Sequence, residues 1–155
     1  SELGQRSDLS ATSTGPALTV VTNAVNIAAQ LLIRPYLRIV ITGGVVQPRS
    51  YELVGPYSDL MLALVNLDLA FIGINGLDPR LGAMVHDDAE AQVNRLMAQR
   101  AEQAWLVADS SKVGARAFAT VAPLADFTGL VTDTGISTED KQMLTEAGLQ
   151  AANRT

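Results

Sequence analysis

The chain has 155 residues, one histidine, no cysteine and a formal net charge of −5. This length favours a single domain over 1–155, with a core large enough to need no disulfides. Structural zinc requires several Cys or His ligands and is therefore close to excluded. An oxygen-ligated Mg²⁺ or Ca²⁺ is possible but has no loop signature here, so we expect no metal, and no cofactor fingerprint is present. The 11 lysines and arginines are scattered along an acidic chain, which argues against direct DNA binding.

The apolar stretches are interrupted by polar residues well short of the ~20 residues that a membrane-spanning helix needs. No charged segment precedes an apolar one in the manner of a signal peptide. Together with the absence of cysteine, these patterns predict a cytoplasmic protein that does not contact membranes.

In the first half of the chain, predicted strands and helices alternate. Asn23 can cap the first clear helix, since Asn is a preferred N-cap residue, and Pro35 would stop that helix. The predicted elements are the end of a helix at 1–10, a loop at 11–16, strands at 17–22 and 37–42, and helices at 24–33 and 58–67.

In the second half, the strongest helical pattern begins at Asp87 and extends to about Gln103, with apolar residues at helical spacing. The sequence Ser-Thr-Glu-Asp from Ser137 resembles a capping box and predicts a final helix that ends near Gly148. The other predicted elements are strands at 69–74, 105–108 and 129–132 and a loop at 75–84.

Five apolar runs each end in small or polar residues, namely VVTN (20–23), VITGG (40–44), IGING (72–76), VADSSK (107–112) and VTDTG (131–135). Continuous runs of this kind are typical of parallel strands that are buried on both faces. They predict a three-layer α/β fold, with a mostly parallel sheet and helices on both faces. Ligands bind beyond the carboxyl ends of such strands, so a site is expected there.

The helices at 24–33 and 58–67 contain very few polar residues. Such helices must be buried, either inside the monomer or against another subunit. We predict a homo-oligomer, either a dimer or a tetramer.

The segment from Asp109 to Gly114, DSSKVG, places a carboxylate, two hydroxyls and an ammonium directly after a strand. Lys112 suits a phosphate or carboxylate ligand, and Asp109 suits ligand hydroxyls. The alternative is that Asp109 and Ser110 satisfy loop amides while Lys112 is solvated.

Gly43 and Gly44 follow one strand, and Gly76 follows another, so a ligand could approach the backbone closely at both places. Glu90 is placed at the margin of the buried stripe of its helix. The alternative role for Glu90 is as the partner of the N-cap Asp87 in a capping box. The lone histidine, His86, is interpreted as a solvated loop residue.

Taken in order, VVTNAVNIA, ITGGVVQPRS, ELVGP, LAFIGINGL, DDAEAQVNRLM and LVADSSKVG resemble the C-terminal sensor domain of DeoR-type bacterial transcriptional repressors. The resemblance covers Leu18 to Thr134. It implies a fold related to ribose-5-phosphate isomerase and the CoA transferases, and a sugar phosphate or related phosphorylated metabolite as effector. It also implies that DNA is bound only by a separate N-terminal winged helix-turn-helix, which nothing in this chain matches.

Two departures from the family pattern are visible. Asn94 stands where the family usually has a lysine, and the family's first strand with its D-S-G-T-T loop is absent, so the sheet would lack one strand. The implied effector-binding residues are Asn23, Gly43, Gly44, Asn75, Gly76, Glu90, Asp109 and Lys112. Gly55 and Gly114 also match positions of the family.

The leading hypothesis is therefore a non-enzymatic sensor domain, in which the effector modulates DNA binding by another domain. The alternative is a sugar-phosphate isomerase or lactonase of the same fold, with Glu90 or Asp109 as general base and Lys112 as electrostatic stabiliser. A purely structural oligomerisation domain is a third possibility, and it would bind no ligand.

Overall fold

A computed structural model describes residues 18–149 and the backbone of Ala152–Arg154. The chain forms two compact units, divided between Met61 and Leu62. The predictions for residues 1–10, for the loop at 11–16 and for Ala17 lie outside the described residues.

The first unit is built around a parallel strand pair joined by a helix. Its elements are β1 (Leu18–Thr22), α1 (Val25–Leu31), β2 (Leu37–Ile41), β3 (Val45–Val46), β4 (Leu53–Val54) and α2 (Pro56–Leu62), of which α2 ends at the boundary. β1 and β2 pair in parallel from Leu18↔Leu37 to Thr22↔Ile41, as a helical crossover allows. β3 and β4 form a short antiparallel pair.

The second unit contains a four-stranded parallel sheet in the order β11–β10–β8–β5 and a three-stranded antiparallel sheet in the order β6–β7–β9. Its elements are β5 (Leu67–Gly73), β6 (Gly76–Asp78), β7 (Gly82–Val85), α3 (Asp88–Gln99), β8 (Ala101–Val107), β9 (Ala119–Ala122), β10 (Gly129–Thr132), α4 (Thr138–Glu146) and β11 (Ala152–Arg154). A mixed α/β fold with a parallel sheet flanked by helices is thus confirmed.

The core of the second unit lies between α3 and the strands on which it packs, β5, β7, β8 and β9. Buried residues alternate along β5 (Ala70 and Ile72) and along β8 (Ala104 and Leu106), so one face of the sheet is turned toward the core. The largest fully buried side chains include Phe127, Leu62, Ile72, Leu77, Met84, Leu106, Leu124 and Leu130.

Several predicted boundaries are wrong. The segment 75–84 is not a loop, because it contains β6 and most of β7, and β9 was not predicted. The helix from Asp87 ends at Gln99 rather than Gln103, since Ala101 begins β8 opposite Leu67. The apolar helix predicted over 58–67 ends at Leu62. The strand at 129–132 is confirmed without change.

No helix within the described residues is both long enough and apolar enough to span a bilayer. The likeness to ribose-5-phosphate isomerase stays a prediction.

Candidate functional site

Three neighbouring strands of the second unit end side by side. Gly73 of β5 pairs with Val107 of β8, and Val107 pairs with Val131 of β10. Asn75, Asp109 and Asp133 each stand two residues beyond these paired positions, so the three polar residues follow the same edge of the sheet. This is the edge at which parallel sheets bind ligands.

The turn that carries Lys112 is stabilised by Asp109. Oδ1 of Asp109 accepts a hydrogen bond from the amide of Ser111 at 2.9 Å and another from the Ser111 hydroxyl, and residues Ser110–Lys112 form a single 3₁₀ turn. The pKa of the Asp109 carboxyl is held below its ordinary value, mainly by the bond from the Ser111 hydroxyl and next by the bond from the Ser111 amide. The carboxylate therefore stays charged and shapes the turn.

Lys112 itself is half-buried. Its amide donates to the carbonyl oxygen of Asp109 at 3.1 Å, which places the residue at the end of the turn. Among residues 18–149, the structure gives its ammonium group no hydrogen bond or ion pair. Its charge helps to lower the pKa of the Asp109 carboxyl, and an ammonium group at this place is suited to an anionic ligand.

The Asn75–Gly76 segment is joined to the same turn. A Cβ at Gly76 would collide with the carbonyl oxygen of Ala115 and would lie 2.9 Å from its carbon, so only glycine fits. The amide of Gly114 donates to the carbonyl oxygen of Leu77 at 2.8 Å. The backbone that follows Lys112 therefore packs directly on β6.

Asn75 also connects this edge to the start of α3. Its Oδ1 accepts the amide of His86 at 3.1 Å, and its own amide donates to Met84 at 2.9 Å. His86 is exposed, as expected. Asp87 follows as the N-cap of α3, and its Oδ2 accepts the amide of Glu90 at 2.9 Å.

Glu90 thus lies in the first turn of α3, half-buried, which matches its predicted place at the margin of the buried stripe. The N-cap role of Asp87, given above as the alternative interpretation, is confirmed. Asn94, which stands where the family usually has a lysine, is buried one turn further along α3.

Asp133 is a residue of this edge that the sequence analysis did not select. Its Oδ2 accepts the amide of Ser110 at 3.0 Å, and its Oδ1 accepts the amide of Gly135 at 2.8 Å. Bonds from the Ser110 amide and hydroxyl and from Gly135 hold the pKa of the Asp133 carboxyl below its ordinary value. The signal was present in the run VTDTG, which ends in small or polar residues as the other four runs do.

In the first unit, Asn23 does not cap α1. The N-cap is Ala24, with no side-chain capping bond, and its amide donates to the Thr22 hydroxyl at 3.1 Å. Asn23 is buried because it pairs with β4: its Nδ2 donates to the carbonyl oxygen of Leu53 at 3.2 Å, and its own carbonyl accepts the Leu53 amide at 2.7 Å. The capping prediction is therefore wrong.

Gly43 and Gly44 follow β2 in the first unit and differ in their constraints. Gly44 has φ +143°, and a Cβ there would collide with the Ser58 hydroxyl and lie 2.8 Å from the carbonyl oxygen of Val54. A Cβ at Gly43 would touch only Cβ of Tyr57, at 3.8 Å, while its carbonyl accepts a bond from the Ser58 hydroxyl. Glycine is required at 44 by packing, which accounts for that residue without a ligand.

The second unit therefore brings Asn75, Gly76, Asp109 and Lys112 together, with Glu90 on the helix that begins beside Asn75. Asn23, Gly43 and Gly44 belong to the first unit. Within the described residues, no group of three or more His, Asp or Glu side chains is arranged to hold a metal ion.

An α/β unit with a parallel sheet, whose polar and glycine-containing turns meet at the carboxyl edge, has the architecture of a domain that binds small molecules. Residues 9–134 match the model of the family described as the DeoR C terminal sensor domain. The chain belongs to this family, and the resemblance noted from the sequence motifs is confirmed.

Similar proteins include the HTH-type transcriptional regulator GlpR of Haloferax volcanii, 34% identical over 70% of this chain and 43% of its own length. The uncharacterized HTH-type transcriptional regulator YulB of Bacillus subtilis is 32% identical over 77% of this chain and 46% of its own length. The glycerol-3-phosphate regulon repressor of Escherichia coli K12 is 26% identical over 86% of this chain and 53% of its own length. The chain thus spans about half the length of the curated relatives it matches.

Proposed function

We propose that the carboxyl edge of the second unit binds a sugar phosphate or a related phosphorylated metabolite. The observation that carries this proposal is the half-buried Lys112, which ends a turn built by Asp109; among residues 18–149 its ammonium group makes no hydrogen bond or ion pair and is attracted to the Asp109 carboxylate only at longer range. The charged form of such a cation is stabilised further when an anion binds beside it. The name of the Escherichia coli relative, a glycerol-3-phosphate regulon repressor, supports a phosphorylated effector.

In this proposal Lys112 pairs with the phosphate group. Both bonds from Ser111 fall on Oδ1 of Asp109, which leaves Oδ2 to accept a hydroxyl of the sugar. Gly76 lets the backbone of β6 approach the turn closely, and Glu90 and Asn75 are further candidates for bonds to ligand hydroxyls. Asn23, Gly43 and Gly44 are kept as candidates in the first unit, to be tested by their own variants.

The effector is proposed to act without being consumed. Relatives named as transcriptional regulators support a role in regulation rather than catalysis. Effector binding would modulate DNA binding by a separate winged helix domain. This requires the effector to bind two conformations of the protein with different affinities, because only such a difference can shift the equilibrium between them.

We also propose that the protein is a homo-oligomer. α1 buries only Ala28 among its residues, and apolar side chains in and after it are exposed, Ile27 by 41%, Leu32 by 71% and Ile33 by 80%. An exposed apolar surface of this kind usually marks a contact with another chain. Sedimentation of the wild-type protein and of Ile33→Glu tests this, and a monomer in both cases would contradict it.

The effector site is tested by calorimetry with glycerol 3-phosphate, ribose 5-phosphate, fructose 1-phosphate and the same sugars without phosphate. Replacing Lys112 by Ala should weaken binding about 10- to 100-fold, the range expected for loss of a charged hydrogen bond. The chain has only one other lysine, Lys141, so Lys141→Ala is the matched control and should bind as the wild type does.

Equal affinities for Lys112→Ala and the wild type would remove Lys112 from the site. Binding of the unphosphorylated sugars as tight as that of the phosphates would contradict the ligand class. Chemical conversion of any of these compounds by the purified protein would favour the enzymatic alternative instead.

A further inference from the structure

Asp133 connects the end of β10 to the turn that carries Lys112. Its two carboxylate oxygens accept the amides of Ser110 at 3.0 Å and Gly135 at 2.8 Å, and the Ser110 hydroxyl adds a third bond. Ser110 is the first residue of the 3₁₀ turn that ends at Lys112. The carboxylate therefore fixes the beginning of this turn relative to the neighbouring strand.

Two further hydrogen bonds hold the same turn, one within it and one just beyond it. Asp109 accepts the amide of Ser111 within the turn, and Leu77 accepts the amide of Gly114 just beyond it. Asp133 is the contact that reaches the turn from β10. Without the Asp133 carboxylate, the turn would keep the bond from the Ser111 amide to Asp109 but would lose the bond from the Ser110 amide to the segment that follows β10.

Asp133 is also close enough to Asp109 for their charges to repel each other. A second carboxylate at this place raises the energy of Asp109, and a neutral acceptor would not. Its bonds to three donors offset this repulsion. A network of charged hydrogen bonds at a loop is typical of residues that hold a neighbouring binding group in place.

We propose that Asp133 is a positioning residue for effector binding, which sets the place of the Lys112 ammonium by holding Ser110. This proposal rests on the proposed function of the Lys112 edge. Asp133 does not have to touch the effector, so its effect on affinity should depend on the presence of Lys112.

The test is a double-mutant cycle with Lys112→Ala and Asp133→Asn, measured by calorimetry with glycerol 3-phosphate, ribose 5-phosphate and inorganic phosphate as probes. Asparagine keeps one acceptor and loses the other, so Asp133→Asn should weaken binding by about tenfold, as coupled residues of one network do. In the Lys112→Ala background the same change should alter affinity by less than about twofold. Asp68→Asn, at an exposed position of β5, is the control for the change in charge.

If Asp133 served folding alone, Asp133→Asn would lower the fraction of folded protein, and its effect on affinity would not depend on the presence of Lys112. Each affinity is therefore referred to the folded fraction, measured by urea titration of the same sample. Ser110→Ala, which removes only the hydroxyl bond, serves as a milder variant and should weaken binding about threefold through the same coupling.

Equal effects of Asp133→Asn with and without Lys112 would overturn the positioning role while leaving the effector site in place. Wild-type affinity in Asp133→Asn would overturn it as well. If the wild-type protein binds none of the probes, the proposed function fails and the positioning role fails with it. These outcomes are distinguishable because the wild type is measured first.

Discussion

Replacing Gly76 by alanine should destabilise the second unit, because the new Cβ would collide with the backbone of Ala115 and Arg116. The new Cβ would lie 2.9 Å from the carbonyl carbon of Ala115 and 3.3 Å from Cα of Arg116, whereas ordinary contacts begin at 3.4 Å. The backbone would have to move by at least half an ångström, and it is held there by the bond from the Gly114 amide to Leu77. Neighbouring backbone cannot turn aside as a flexible side chain can.

Overpacking of a buried site typically costs about 1–3 kcal/mol of unfolding free energy. With an ordinary urea dependence, a loss of about 2 kcal/mol lowers the unfolding midpoint by roughly 1 M. Trp105, the only tryptophan of the chain, lies in β8 of the same unit, so its fluorescence reports directly on the unfolding of that unit.

Gly73→Ala is the matched control, because a Cβ at Gly73 meets nothing within 4 Å. Alanine there should leave the midpoint unchanged or raise the free energy of unfolding by about 0.4–1 kcal/mol, since the unfolded chain loses conformational freedom. If the two alanine variants unfold at the same urea concentration, the contact between Gly76 and Ala115 does not constrain the turn, and this reasoning is wrong.

Three further predictions concern side chains that hold elements in place. Arg95→Met should lower the free energy of unfolding by about 1–3 kcal/mol in urea titrations, because Arg95 donates from α3 to two carbonyl oxygens of β9. An unchanged midpoint would show that water replaces both bonds. Ser137→Ala should cost about 1 kcal/mol, since its hydroxyl caps α4, and should speed amide exchange in the first turn of that helix; unchanged exchange would count against the cap. Asp133→Asn should be less stable than the wild type at neutral pH, and its free energy of unfolding should fall less between about pH 6 and pH 3, whereas Asp68→Asn should follow the wild type. The folded pKa of Asp133 is depressed, so the unfolded state takes up protons first as pH falls below about 4 and stability is lost there. Identical acid profiles for all three proteins would refute this.

The strands of the parallel sheet could be predicted because they appear as continuous apolar runs. The expected burial on both faces is found in β10, where three of four residues are buried, whereas β5 and β8 bury only alternate residues. β10 is the clearest case: Gly129–Thr132 is bounded by polar residues on both sides, and the prediction is correct to the residue. The cap of α4 could be predicted for a similar reason, since Ser137 and Asp140 satisfy the first turn locally.

The antiparallel sheet could not be predicted in the same way. β6 and β7 have three and four residues and are rich in glycine, so they resemble a loop in sequence. They become strands because Gly76 pairs with Met84 and because β9, more than thirty residues further along the chain, pairs with β7. Such pairing depends on tertiary structure and leaves little local signal.

The end of α3 shows a competition between two periodicities. Ala101 and Ala104 continue the helical spacing of the apolar residues before them, which predicts a longer helix. Ala104 and Leu106 also fit the alternation of a strand, and both are buried in β8. Pairing with β5 decides the outcome, and Arg100 marks the transition by donating to the carbonyl oxygen of Val65 at 2.8 Å.

The candidate site was predicted in part for a physical reason that also explains what was missed. Asp87, Asp109 and Asp133 each accept a backbone amide two or three residues further along the chain, where a strand or loop has just ended. Aspartates at the ends of strands and loops commonly accept hydrogen bonds from backbone amides. Their presence in the sequence therefore does not distinguish a capping residue from a ligand-binding one. Lys112 is different, because its ammonium group serves no capping role. Loss of Lys112 should therefore reduce affinity for an anion with little effect on folding, whereas loss of Asp133 should affect both, and comparing the two separates binding from support.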